Sequence, residues 1–152
     1  MSQWLPFTNH KLYQCRLLAE QMVEANQPEL AEALEEAAVL QLWAAYRSYL
    51  NELGEMVSLP IQVATLEELK QQARLVTGEM RELEQLEDNE FSWLGQLLHA
   101  AGKLGWPGAR ASQAQNANLI AAVNQPDTGS LTVWYSELNA LIDRQRDNRH
   151  ES

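Results

Sequence analysis

The chain has 152 residues, 45% hydrophobic and 21% charged, with 21 acidic against 11 basic side chains and a formal net charge of −10. That composition is too apolar for a wholly disordered chain, and the length suits a single helical-bundle domain over residues 1–152 that buries roughly 70% of its unfolded surface. The negative field repels phosphate backbones and anionic bilayers at long range, so nucleic acid is an unexpected partner and a basic protein a better-suited one.

Taken in chain order, the first predicted helix runs from about Asn9 to Ala25, capped by Thr8 or Asn9. Leu12, Cys15, Ala19, Met22 and Val23 recur on it at three-to-four spacing. Asn26, Gln27 and Pro28 break it, and Pro28 starts the next helix, so the two form an antiparallel hairpin. The second and longest helix spans about 28–57. From Ala37 to Tyr46 it is almost all apolar or small, which predicts a central helix touched by several neighbours. Gly54 weakens its last turns, and Leu59-Pro60 marks its end.

Thr65-Leu-Glu-Glu68 has capping-box spacing and opens a third helix, whose narrow stripe is Leu66, Leu69, Ala73, Val76, Met80, Leu83 and Glu87. Gly78 is its weak point. Asp88 or Asn89 caps a fourth helix over about 90–104, separate from the third or continuous with it through a kink. Gly105-Trp-Pro-Gly108 then turns the chain. Residues 105–129 read as one long irregular crossover, polar at Ser112–Asn118, with a short apolar turn of helix at Leu119–Val123. A last helix runs from about Ser130 to Arg146 with Leu131, Trp134, Leu138, Leu141 and Ile142 inward, and 148–152 fray. The expected fold is all-α: a mostly up-and-down antiparallel bundle of four to five helices.

The search for chemistry finds no reaction motif. The lone Cys15 excludes an intramolecular disulfide and sits on an apolar face as a buried, inert thiol. His10, His99 and His150 lack the Glu-x-x-His and Cys/His spacings of di-metal and zinc sites, so no metal or other cofactor is expected. His10 is placed near a helix start and His99 near a helix end. No Gly-rich phosphate loop or nucleophile elbow is present. The run Glu79, Glu82, Glu84, Glu87, Asp88 and Glu90 reads as a solvated helix face, or else as a dock for a basic partner. Trp43, Trp93 and Trp134 are placed in the core. Trp4 and Trp106 fall in irregular segments, where each folds over an end of the bundle or anchors a partner. Tyr13, Tyr46, Tyr49 and Tyr135 pack in the core or line a small groove. The N-terminal residues lack a basic and then apolar signal, and no apolar stretch is long enough to span a bilayer, so the cytoplasm is the expected location.

Two resemblances follow from particular residues. Arg144-Gln-Arg-Asp-Asn-Arg-His150 resembles the arginine-x5-histidine motif of HEPN-type RNA-cleaving helical domains. There the arginine would hold the phosphate and the histidine would aid proton transfer. Asn9-His-Lys-Leu-Tyr13, Leu40-Gln-Leu-Trp-Ala-Ala-Tyr46, Ser92-Trp-Leu94 and Trp134-Tyr-Ser-Glu-Leu-Asn-Ala-Leu-Ile142 resemble a family of small uncharacterised all-helical proteins from Pseudomonas-like bacteria, a domain of unknown function. That second resemblance implies a helical fold and assigns no catalytic residue. The leading expectation is a non-enzymatic bundle acting through protein contacts or as a homodimer. The alternatives are an RNA-cleaving enzyme using Arg144 and His150, and a ligand-binding bundle with a pocket between the second helix and 105–129, near Tyr46 or Tyr49.

Overall fold

The computed structural model describes residues 2–107 and 128–151. Among them lie six helices: α1 (Trp4–Glu24), α2 (Pro28–Met56), α3 (Leu66–Gln72), α4 (Gly78–Asp88), α5 (Trp93–Lys103) and α6 (Thr128–Glu151). No strand occurs among the described residues, and the expected all-α bundle is what forms. The apolar turn expected at Leu119–Val123 and the polar stretch at Ser112–Asn118 lie outside the described residues.

α2 is the hub, in contact with α1, α3, α5 and α6. The reason is legible in its composition: Ala38, Leu42, Ala45, Tyr46, Tyr49, Leu50 and Leu53 are all buried. The small residues let neighbouring helices approach while leucine and tyrosine fill the space between them. α1 packs antiparallel along it. Thr8, near the start of α1, meets Ser48, late in α2, through a 2.7 Å hydrogen bond between hydroxyls, and the Ser48 hydroxyl also donates to the Trp4 carbonyl at 3.1 Å. α6 adds Leu131, Leu138, Leu141 and Ile142 to the core, and α5 adds Leu94, Leu97 and Ala101. No helix among the described residues is long and apolar enough to cross a membrane.

Four boundaries differ from the sequence expectation, the first three for a local reason. α1 starts at Trp4 rather than Asn9, because the Ser2 hydroxyl accepts from the amides of Trp4 and Leu5 at 3.1 and 3.3 Å. Pro6 falls within the first turn, where an amide has no partner inside the helix, and so does not interrupt it. Thr8 is therefore buried inside α1 and caps nothing.

The predicted third helix is two. Ala73 leaves α3 in extended conformation, and Thr77 begins α4 by accepting from the Met80 amide at 3.3 Å. The hydroxyl half of the predicted capping box is present, with Thr65 accepting from the Glu68 amide at 3.1 Å.

α5 is separate from α4. Ser92 caps it, rather than Asp88 or Asn89: its hydroxyl accepts from the Gly95 amide at 2.9 Å and donates to the Leu86 carbonyl at 2.5 Å. Gly95 makes that tight join possible, since a Cβ there would lie 2.4 Å from the Asn89 carbonyl oxygen. Finally, α6 begins at Thr128 and stays helical to Glu151, past the fraying expected from Asn148.

α2 ends as predicted, within one residue. The amides of Ser58 and Leu59 return to the carbonyls of Glu55 and Gly54 at 3.0 and 2.9 Å, the paired bonds of a Schellman motif. Ser58 occupies the left-handed position with φ 59°.

Candidate functional site

Three groupings of polar or exposed apolar side chains lie outside the plain core. The first joins the ends of α2 and α6. Arg146 donates to both carboxylate oxygens of Glu52, at 3.1 and 2.8 Å, and to the Asn9 side chain at 2.8 Å. The buried Tyr49 hydroxyl donates to Gln145 at 2.5 Å and accepts from Arg149 at 3.1 Å. Burial pushes the Tyr49 phenol up to about 12, against the pull of Arg149. Arg144 forks onto Glu82 at 3.2 and 2.6 Å, and Gln145 donates to the same carboxylate at 2.8 Å. Those bonds hold the Glu82 carboxyl below its ordinary range, the Arg144 bond contributing most. Nearly every polar group here is satisfied by another, as expected of a clamp between helices. Arg144, the residue placed at a phosphate by the RNA-cleaving reading, is engaged by Glu82. The side chain of His150 lies outside the described residues.

The second grouping is a groove of about 590 Å³ between α3 and α4, lined by Glu67, Glu84, Glu87 and Asp88 around Lys70. Lys70 pairs with Glu84, and the buried Tyr46 hydroxyl donates to Glu87. Burial raises the Glu87 carboxyl; the Tyr46 bond counters it, and the charge of Asp88 adds to it. The acidic run is therefore not wholly a solvated face. Glu82, Glu84 and Glu87 are half-buried and partnered, while Asp88 and Glu90 are exposed. No group of three or more His, Cys, Asp or Glu side chains is arranged to hold a metal ion among the described residues.

The third grouping is the outer face of the α1–α2 pair. Leu30, Ala33, Ala37, Leu40 and Ala44 follow one another at spacings of three, four, three and four, which places them on one stripe of α2, opposite the buried Leu42, Tyr46 and Leu53. The stripe is open: Leu30 and Leu40 are 48% and 45% exposed. It runs into a groove of about 550 Å³ whose walls include Trp4 and Phe7 of α1, Ala44 and Arg47 of α2, and Val63. Asn51 builds the far wall by bonding both ways to Val63, donating to its carbonyl at 3.0 Å and accepting from its amide at 2.8 Å. The Arg47 guanidinium lies over the Trp43 ring, 4.1 Å from its centroid. Two buried side-chain atoms, Arg47 Nε and Gln14 Oε1, lack hydrogen-bond partners, and both lie on this pair of helices.

The remaining sequence-predicted residues divide plainly. Cys15 is buried, and burial pushes its thiol up to about 12. Tyr46 and Tyr49 are core with bonded hydroxyls, whereas Tyr13 is 49% exposed. Trp43, Trp93 and Trp134 are only partly buried against the core, and Trp134 donates to Gln96 at 3.2 Å. Trp4 belongs to α1 and meets Phe7 edge-on, rather than lying in an irregular segment. Trp106 is 71% exposed and does not fold over the bundle. His10 is within α1 and His99 near the end of α5, both exposed. The pocket expected between α2 and 105–129 falls mostly outside the described residues. Sequence reading missed the outer groove, whose one visible sign was Arg47 following Leu40 and Ala44 on the same stripe.

A family model described as a family of unknown function, DUF6586, matches residues 1–152. Comparison with curated proteins and comparison with solved structures each find no match. The family match agrees with the sequence resemblance to a domain of unknown function and carries no information on a Pseudomonas-like source.

Proposed function

We propose, from the premise that this chain belongs to DUF6586, a family of unknown function, that it is a non-enzymatic helical bundle working in the cytoplasm through protein–protein contact, and that the outer face of α1 and α2 is where a partner docks. The observation that supports this most is the open stripe Leu30, Ala33, Ala37, Leu40 and Ala44. Its heptad-like spacing suits a second helix packed alongside, and alanines permit close approach. Exposed Phe7 extends the apolar surface at the groove end, and the two buried atoms without partners lie on the same helix pair. The Arg144–Glu82 fork weighs against phosphate binding by Arg144. One observation favours a ligand-binding reading instead: about 550 Å³ is within the range of small-molecule sites.

The test is co-purification from the source cell with Leu40→Glu. Leu40 is half-exposed, so the substitution leaves stability within about 0.5 kcal/mol. The expected result is a specific partner retained by the wild-type chain and lost by the variant, or a wild-type mass twice that of the variant when the partner is a second copy. A partner bound equally by both would rule out this face.

A further inference from the structure

We propose that the groove at the Trp4 end of the α1–α2 face receives an acidic and apolar peptide segment of the partner protein, with Arg47 binding its carboxylate. The proposal rests on the docking reading and names the chemistry of the partner. Charge complementarity carries it. No acidic residue lines this groove, although the chain has 21 of them, and the charged side chain that does line it is Arg47.

Arg47 differs from the ion-paired cations of the chain, and among the described residues its side chain is the cationic one with a buried nitrogen that lacks a partner. Arg16, Lys70, Arg144 and Arg146 each pair with a carboxylate of this same molecule. Arg47 has no such partner among the described residues: it stacks on Trp43, and its buried Nε bonds to nothing. Of the other polar side chains along the groove, Gln3 and Gln62 are exposed neutral amides, and the two buried ones are already committed. Ser48 bonds to Thr8 and the Trp4 carbonyl, and Asn51 to Val63 and the Arg47 carbonyl. The capacity to bind a charged ligand therefore rests with one guanidinium, held over an indole beside Trp4, Phe7 and Val63. Such a fork suits a carboxylate, bound through two parallel N–H donors, on a ligand whose adjoining groups are apolar. A basic segment, the partner type suggested by net charge alone, would face the like charge of Arg47 here.

A peptide fits better than a free small acid because the apolar surface continues beyond the groove. From Ala44 back to Leu30 the stripe extends for roughly 21 Å at 1.5 Å per residue, a span for a polypeptide segment.

The experiment titrates the ¹⁵N-labelled full chain with capped octapeptides alternating leucine or phenylalanine with glutamate, and with matched glutamine and lysine peptides. The indole N–H signals of Trp4 and Trp43 are the readout. The expected result is saturable shifts with the glutamate peptide, binding weaker by roughly tenfold or more with the glutamine peptide, and none with lysine. Arg47→Gln should abolish the preference for glutamate over glutamine while keeping a dispersed spectrum. Ala44→Gln, which fills the groove but keeps the charge, should abolish both modes of binding and serves if the first variant does not fold. Equal affinity for glutamate and glutamine peptides, or a preference that survives Arg47→Gln, overturns the proposal. So does decanoate shifting both indoles when no peptide does, since the site would then take a small lipid acid. If the glutamate preference is absent yet Leu40→Glu still strips the cellular partner, the docking face stands and this inference falls. If the preference holds while Leu40→Glu keeps its partner, the docking face is the part that fails.

Discussion

Arg146 and Glu52, 94 residues apart, form a two-pronged ion pair at 3.1 and 2.8 Å that ties the end of α6 to the end of α2. Glu52 is 5% exposed and its partner 13%, so the pair is largely out of water. Removing one partner leaves the other charge buried, which costs about 3 kcal/mol. Glu52→Leu should lower the unfolding free energy by about that amount in urea titration. The double variant Glu52→Leu/Arg146→Met should recover most of the loss, because two apolar groups of similar size satisfy one another.

Ser58 holds φ 59° at the end of α2 without a side-chain hydrogen bond. A left-handed residue with a Cβ costs roughly 1–2 kcal/mol, part of which glycine gives back as unfolded-chain entropy. Ser58→Gly should therefore raise stability by about 0.5 kcal/mol, and Ser58→Val should lower it by more, both read from denaturant midpoints at unchanged slope.

Two carboxylates shape the acid side of the stability profile in opposite directions. Glu87 has its pKa raised by burial, so the folded state holds that proton more tightly than the unfolded chain. Its contribution is complete below the ordinary glutamate range and is lost as pH rises through the raised value. Glu82 has its pKa lowered by Arg144 and Gln145. Its contribution is present above the ordinary range and is lost as pH falls through the lowered value. Glu87→Gln should thus gain stability relative to wild type at neutral pH and show little difference in acid. Glu82→Gln should lose stability at neutral pH and converge with wild type in acid. Thermal midpoints from pH 2 to 8 check both signs.

Cys15 is buried with its thiol pushed up to about 12, so little thiolate is present at pH 8. A colorimetric thiol reagent should label no cysteine in the native chain within minutes and one per chain in strong denaturant. Rapid native labelling would mean that α1 separates from α2 readily.

How far the sequence could be read depended on whether a feature was local. The bounds of α2 were legible because Pro28 and Leu59-Pro60 punctuate a long apolar run, and the Thr65 cap because its spacing is local. The break between α3 and α4 was hidden. Val76 stays half-buried in the non-helical link, so the three-to-four pattern runs on across it, and Thr77-Gly78 was the only cue. Trp4 was misplaced because Pro6 reads as a breaker unless its position in the first turn is known. The outer groove needed tertiary information altogether, since Asn51 brings Val63 beside α1 from a segment with no regular structure. The apolar run of α2 predicts a central helix touched by several neighbours, and α2 is that hub. What the run does not reveal is that one stripe of it, with Leu30 and Leu40, faces outward, and that stripe supports the proposed docking face.

The most direct test of that face is photo-crosslinking in the source cell, with a photoreactive amino acid at Leu40 in one strain and at exposed Gln71, on α3, in another. The account predicts a discrete protein adduct from position 40 that is absent from position 71. No adduct at 40, or the same adducts from both positions, would contradict it.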